Sequence, residues 1–211
     1  MRIDVWSDIA CPWCYLGKHR IEAAAAKLAG RHQLVFHAFE LNPGAPRRND
    51  DGLTHRERLA KKFGRAPEQI DQMHERMVGM GREDGIDFHF DRVQGGNTFD
   101  AHRLVQLGLE RGVQAAVKER MMKAYFSDGE SIGDRETLIR LAVEAGLDRN
   151  EAADVLATEK YTREVRADET MAQANGISGV PFFVFERRLA VSGAQPVDVL
   201  VEAMQQAAAG G

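Results

Sequence analysis

An α/β fold, in which two sequence-distant halves of one sheet-bearing domain flank a long helical insertion, is what this 211-residue sequence predicts. Three observations carry the prediction. The opening, to Leu41, reads strand, helix, strand; apolar spacing is then helical almost throughout from Thr54 to about Asn175; beyond that the period of strands returns. The boundaries are residues 1–45 and 176–211 for the split domain and 46–175 for the insertion.

Taken in order, Ile3, Val5 and Trp6 form a short β-prone run ending at Ser7-Asp8. An alanine-rich helix follows from Pro12 to about Ala29, with Gly30 as its stop. "QLVFHAFEL", Gln33 to Leu41, is β-branched and aromatic and predicts a second strand, so the opening has the length of a parallel crossover. "NPGAPRRNDDG" is a turn-rich break. In the insertion, Pro67 suits a first helical turn with Ile70, Met73, Met77 and Met80 on one stripe. Asn97 or Thr98 caps "NTFDAHRLVQLGLERG", and Asp134 caps "DRETLIRLAVEAG". Only "IDFHF", Ile86 to Phe90, predicts an extended interruption. "VPFFVF", a turn at Glu186-Arg187-Arg188 and "LAVSG" predict a hairpin. A last helix from about Pro196 to Ala208 turns Val199, Leu200 and Ala203 inward.

Hydrophobic residues make up 44% and charged residues 28% of the chain, which places it among globular proteins rather than disordered or membrane ones. The net charge of −4, with no long basic run, supplies no field for nucleic acid. No apolar stretch approaches the roughly 18 residues that span a bilayer. The opening "MRIDVW" carries no export signal, and the expected setting is the cytoplasm.

Both cysteines lie in "CPWC", Cys11 to Cys14. With Cys11 at the N-cap, Pro12 takes the first helical position, and the N–H groups of Trp13 and Cys14 point at the Cys11 sulfur. Those donors and the positive helix end favour thiolate. Cys11 is therefore expected to be exposed and reactive. Cys14, on a stripe with Ile21 and Leu28, is expected to be shielded. Such a pair can pass through a mixed disulfide and close again. Two other readings compete with this one. Zinc would need further ligands, and His19, the nearest histidine, projects away from Cys11, so no metal is expected. A structural disulfide would close almost no loop. A second signal is Val180-Pro181, where a cis bond would free the Val180 backbone for an extended peptide and set the ring beside Cys11.

"SDIACPWCYLG", "FELNP", "NTFDAHRL" and "GVPFFVF" together resemble the DsbA-like thioredoxin-fold family, in its FrnE-like branch. The resemblance implies a thioredoxin-like sheet with an inserted α-helical domain. It also implies a disulfide oxidoreductase in which Cys11 is the nucleophile, Cys14 the resolving thiol and Val180-Pro181 the cis-proline loop. Pro12, Trp13, Val180 and Pro181 are then the candidate substrate contacts, the only cofactor is the Cys11–Cys14 disulfide itself, and the partners are protein or small-molecule thiols and disulfides. The chain departs from periplasmic DsbA in carrying Pro-Trp where Pro-His is usual. A sister branch holds 2-hydroxychromene-2-carboxylate isomerases and kappa-class glutathione transferases, which usually present serine at the position of Cys11. Two cysteines favour dithiol exchange, while a glutathione-dependent isomerase or transferase, with glutathione as co-substrate, and a non-enzymatic peptide-binding module are the alternatives.

His102 is read as a structural histidine and Asn97 as a cap. The methionines, including Met121 and Met122, are read as insertion core. "REVRADE", Arg163 to Glu169, is read as a solvated helix face.

Overall fold

The computed structural model describes residues 1–209. β1 (Arg2–Ser7), α1 (Pro12–Lys27) and β2 (Gln33–Ala38) open the chain, and β3 (Phe182–Phe185), β4 (Leu189–Ser192) and α9 (Val197–Ala209) close it. The strands make one sheet in the order β2-β1-β3-β4, with β1 parallel to β2 and antiparallel to β3. Between them lie α2 (His55–Phe63), α3 (Pro67–Glu83), α4 (Phe99–Glu110), α5 (Gln114–Lys123), a π-helical turn at Ala124–Asp128, α6 (Arg135–Glu144), α7 (Arg149–Ala157) and α8 (Thr162–Ala174).

Alternation along β1 and β3 divides the core. Ile3, Val5, Phe183 and Phe185 join a large cluster with Leu16 and Ile21 of α1 and Leu200 and Met204 of α9. Trp6, Phe182 and Val184 face the other way, against Ala172 of α8 and Ile177. The large cluster runs on without a break into Leu104, Val117 and Met121 of the helical segment.

That segment also closes the exposed edge of β2. The Gln114 side chain accepts from the Phe36 N–H at 2.9 Å and donates to the Phe36 carbonyl at 2.8 Å, standing in for a neighbouring strand. Asp168 takes the Ala38 N–H at 2.9 Å, His37 at 2.6 Å and Gln106 at 2.6 Å.

Several expectations need correction. β2 stops at Ala38 rather than Leu41 because its partner ends at Ser7, and the Leu41 N–H goes instead to the Asp8 carboxylate at 2.7 Å. α1 ends at Lys27, two residues early, with Leu28 as an extended C-cap. The interruption expected at Ile86 to Phe90 is present and lies outside the sheet: the His89 N–H bonds the Phe126 carbonyl at 2.8 Å while Ile86, Phe88 and Phe90 are buried. Val199 points outward, since the buried stripe of α9 is Leu200, Ala203, Met204 and Ala207 and Val199 lies one residue off it. "REVRADE" is not a solvated face throughout, because Val165 and Asp168 are buried, the latter bonded to β2. Of the methionine stripe on α3, Met77 is buried, while Met73 and Met80 are only partly covered.

Replacing Gln114 by Ala strands two buried backbone groups on Phe36. The expected loss is about 2–4 kcal/mol, read as a lower urea midpoint at unchanged slope.

Candidate active site

The end of β1 and the start of β3 meet because Trp6 pairs with Phe182. One step further, the chain enters α1 on one side and leaves Val180-Pro181 on the other. The Val180-Pro181 bond is cis. The Pro181 ring packs directly on Gly17 of α1, where a Cβ would come within 2.9 Å of the proline Cγ; only glycine leaves that space.

Cys11 is the N-cap of α1 and Pro12 its first residue. The Cys14 N–H reaches the Cys11 Sγ at 3.4 Å, and the Cys11 thiol donates to the Val180 carbonyl at 3.7 Å. The second donor expected from the sequence, the Trp13 N–H, makes no such bond: an N-cap side chain reaches the third helical residue, which is Cys14. Both cysteines are free thiols.

Cys11 is not exposed as expected but only 4% accessible. It lies at the base of a cavity of about 300 Å³, walled by the start of α1, the segment from Leu41 to Asn49, and α2 and α3 folded back over it. Pro12 and Trp13 line the same cavity, and Trp13 is 43% exposed at its rim. Cys14, Val180 and Pro181 do not line it. Cys14 sits behind, 1% accessible, and burial together with the neighbouring Cys11 thiol pushes its pKa well up.

Two charged groups missed in the sequence, Asp8 and Lys118, lie buried near the cysteines together with His102, and of the three only Asp8 lines the cavity. Asp8, between β1 and α1, is buried and accepts from His102 at 3.2 Å and from the Leu41 N–H. Burial alone would raise its pKa, but the His102 hydrogen bond and that N–H hold the carboxyl below its usual range. His102 is itself pushed down by burial and by Lys118, and its ring nitrogen bonds Asp8 rather than Cys11. Lys118 of α5 is 1% accessible and donates to the Ser7 carbonyl at 3.1 Å. Burial pulls it down to about 8, against the opposing pull of Cys14, Asp8 and Cys11. A signal for Lys118 existed: with Gln114, Met121 and Met122 it sits at i, i+4, i+7 and i+8 of one inward stripe, where a lysine is out of place. Of the two cap candidates Thr98 is the N-cap of α4, without a side-chain bond of its own, and Asn97 just before it takes the Phe99 N–H on its side-chain oxygen at 2.8 Å. Among the described residues no group of histidine, cysteine and carboxylates is arranged to hold a metal ion, and no helix is long and apolar enough to cross a membrane.

The four-stranded sheet with its flanking helices, and a cysteine pair at the start of α1, place the chain in the thioredoxin-fold class. The profile of the DSBA-like thioredoxin domain matches residues 2–205, and the chain belongs to that family. Among solved structures, one described as a probable DsbA oxidoreductase from Streptomyces coelicolor is 41% identical, with a TM-score of 0.93 over 99% of this chain and 90% of that one. The cytosolic disulfide reductase DsbM from Pseudomonas aeruginosa, at 20% identity and TM-score 0.69 over 98% of both chains, shares the fold. The Bacillus subtilis protein YwbO is 26% identical over 97% of this chain and 96% of its own length.

The Lys118 charge favours thiolate behind the helix end. In Lys118→Met, the thiolate absorbance of the folded dithiol protein should titrate about one pH unit higher than in the parent, and Lys118→Arg should largely restore it. An unmoved titration in Lys118→Met would remove the lysine from the chemistry.

Proposed function

We propose that this protein is a thiol–disulfide oxidoreductase cycling Cys11 and Cys14 between dithiol and disulfide. One observation carries the reading: the Cys11 sulfur caps α1, lies against Val180 at the cis-proline, and forms the base of an open cavity, with the second thiol one turn behind it.

The cycle uses only these groups. The Cys11 thiolate attacks one sulfur of a substrate disulfide, and the other sulfur leaves as thiolate. Cys14, having given up its proton, attacks the Cys11 Sγ, closes the protein disulfide and releases the second substrate thiol. Run backwards, the same steps oxidise a dithiol client. Pro12 and Trp13 border the approach to Cys11, and Val180 and Pro181 line the side from which Cys11 is held. Glutathione, bound in a further structure of the Pseudomonas reductase, is a candidate exchange partner. That relative's cytosolic setting supports the same compartment here.

Acid quench and thiol trapping test the assignment. Cys11→Ser should abolish exchange with oxidised glutathione, and Cys14→Ser should accumulate a stable mixed disulfide on Cys11. Exchange that survives Cys11→Ser sinks the reading. A glutathione-dependent catalytic activity that survives Cys14→Ser would point to the isomerase or transferase chemistry instead.

A further inference from the structure

The cavity before Cys11 has a composition that sulfur exchange alone does not require. Seven large apolar side chains are exposed among the described residues, and three of them, Trp13, Leu41 and Phe63, border this one space. Inside it, Phe90, His74 and His55 form a nearly parallel stack: His74 lies 4.2 Å from Phe90 at 6°, and His55 lies 5.7 Å from His74 at 11°. Burial keeps both imidazoles below their usual range, His55 at about 4, so this wall is flat and uncharged at neutral pH. The His74 Nε2 is buried without a partner. Met73 and Met77 supply polarisable contact beside it.

The remaining charge is divided: ionised Asp8 lies at the base beside Cys11, bonded to His102 and the Leu41 N–H, while the wall made by α2 is positive. Arg58 and Lys62 stand one turn apart on α2 at the cavity; Asp51 neutralises Arg58 through three hydrogen bonds to its carboxylate, while Lys62 has no ion pair among the described residues. The volume of about 300 Å³ suits a small molecule rather than a folded client.

We propose that this cavity selects a low-molecular-weight aromatic disulfide bearing an acidic group, its ring against the His55–His74–Phe90 wall and its acid toward Lys62. The inference rests on the exchange reading and adds a substrate class to it. In one turnover Cys11 bonds to one aryl sulfur as the ligand's S–S bond breaks and the first aryl thiolate leaves. Cys14 then displaces the second. Two electrons and two protons pass from the protein dithiol to give two aryl thiols and the Cys11–Cys14 disulfide.

The test is single-turnover stopped flow of the reduced protein with three probes: dithiobis(nitrobenzoate), which is aromatic and anionic; dithiodipyridine, which is aromatic and neutral; and bis(hydroxyethyl) disulfide, which is neither. The nitrobenzoate rate should saturate with concentration, as binding before exchange requires. Phe63→Ala should lower the ratio of the nitrobenzoate to the hydroxyethyl rate about fivefold or more, and Lys62→Glu should lower the ratio of nitrobenzoate to dithiodipyridine by a similar factor. Phe63 is half exposed, so its loss leaves the fold intact. Linear nitrobenzoate kinetics with both ratios unmoved would overturn the inference while leaving exchange standing. A shift only in the Phe63 ratio would overturn the acidic group, and a wild type unreactive through Cys11 toward all three probes would overturn the exchange reading and this inference with it.

Discussion

The pairing of Trp6 with Phe182 is the constraint on which the site depends. Cys11 and Val180 are 169 residues apart, and local structure alone cannot hold a sulfur 3.7 Å from that carbonyl. The sheet register does so, and burial defends the register. Sliding β3 by one residue would turn Phe183 and Phe185, both fully buried against α1 and α9, onto the side that now holds Phe182 and Val184. Gly17 then allows the Pro181 ring to close on α1. The position of the cis-proline beside the nucleophile is thus a consequence of side-chain alternation in two short strands.

The helical segment is part of the same machine. It satisfies the outer edge of β2 through Gln114 and Asp168, it inserts Lys118 beneath the two sulfurs, and through α2 and α3 it turns an open helix end into a cavity. Burying an ammonium is costly unless neighbours compensate. Here the Ser7 carbonyl, ionised Asp8 and the thiols surround it. The helices also bound access, because residues of α2 and α3 wall the space that leads to Cys11.

What the sequence made legible is local. β1, the start of α1, the cysteine at its cap, the hairpin after Pro181 and the caps of α4 and α6 all follow from residues within a turn or two of one another. What it hid depends on distant segments. The cavity before Cys11 is walled by side chains from Leu41 to Tyr125, and the alternating charges around Asp168 look the same whether one of them faces water or a sheet. Asp168 is inward because His37, Ala38 and Gln106 are there to meet it. Ile86 to Phe90 has strand composition but no strand to pair with, which is a property of the neighbourhood and not of the segment.

Position also orders the two sulfurs in the proposed cycle. Cys11 alone meets the cavity, so the first attack falls to it. Burial and the adjoining Cys11 sulfur, as hydrogen-bond partner and as charge, together keep the proton on Cys14. Once Cys11 is bonded to a substrate sulfur it carries no charge, and the part of the barrier due to Cys11 disappears while Lys118 remains to favour the Cys14 thiolate. Formation of the mixed disulfide therefore activates the thiol that resolves it. The free dithiol, by contrast, holds Cys14 inert, so the pair stays open to visitors instead of reacting out of turn.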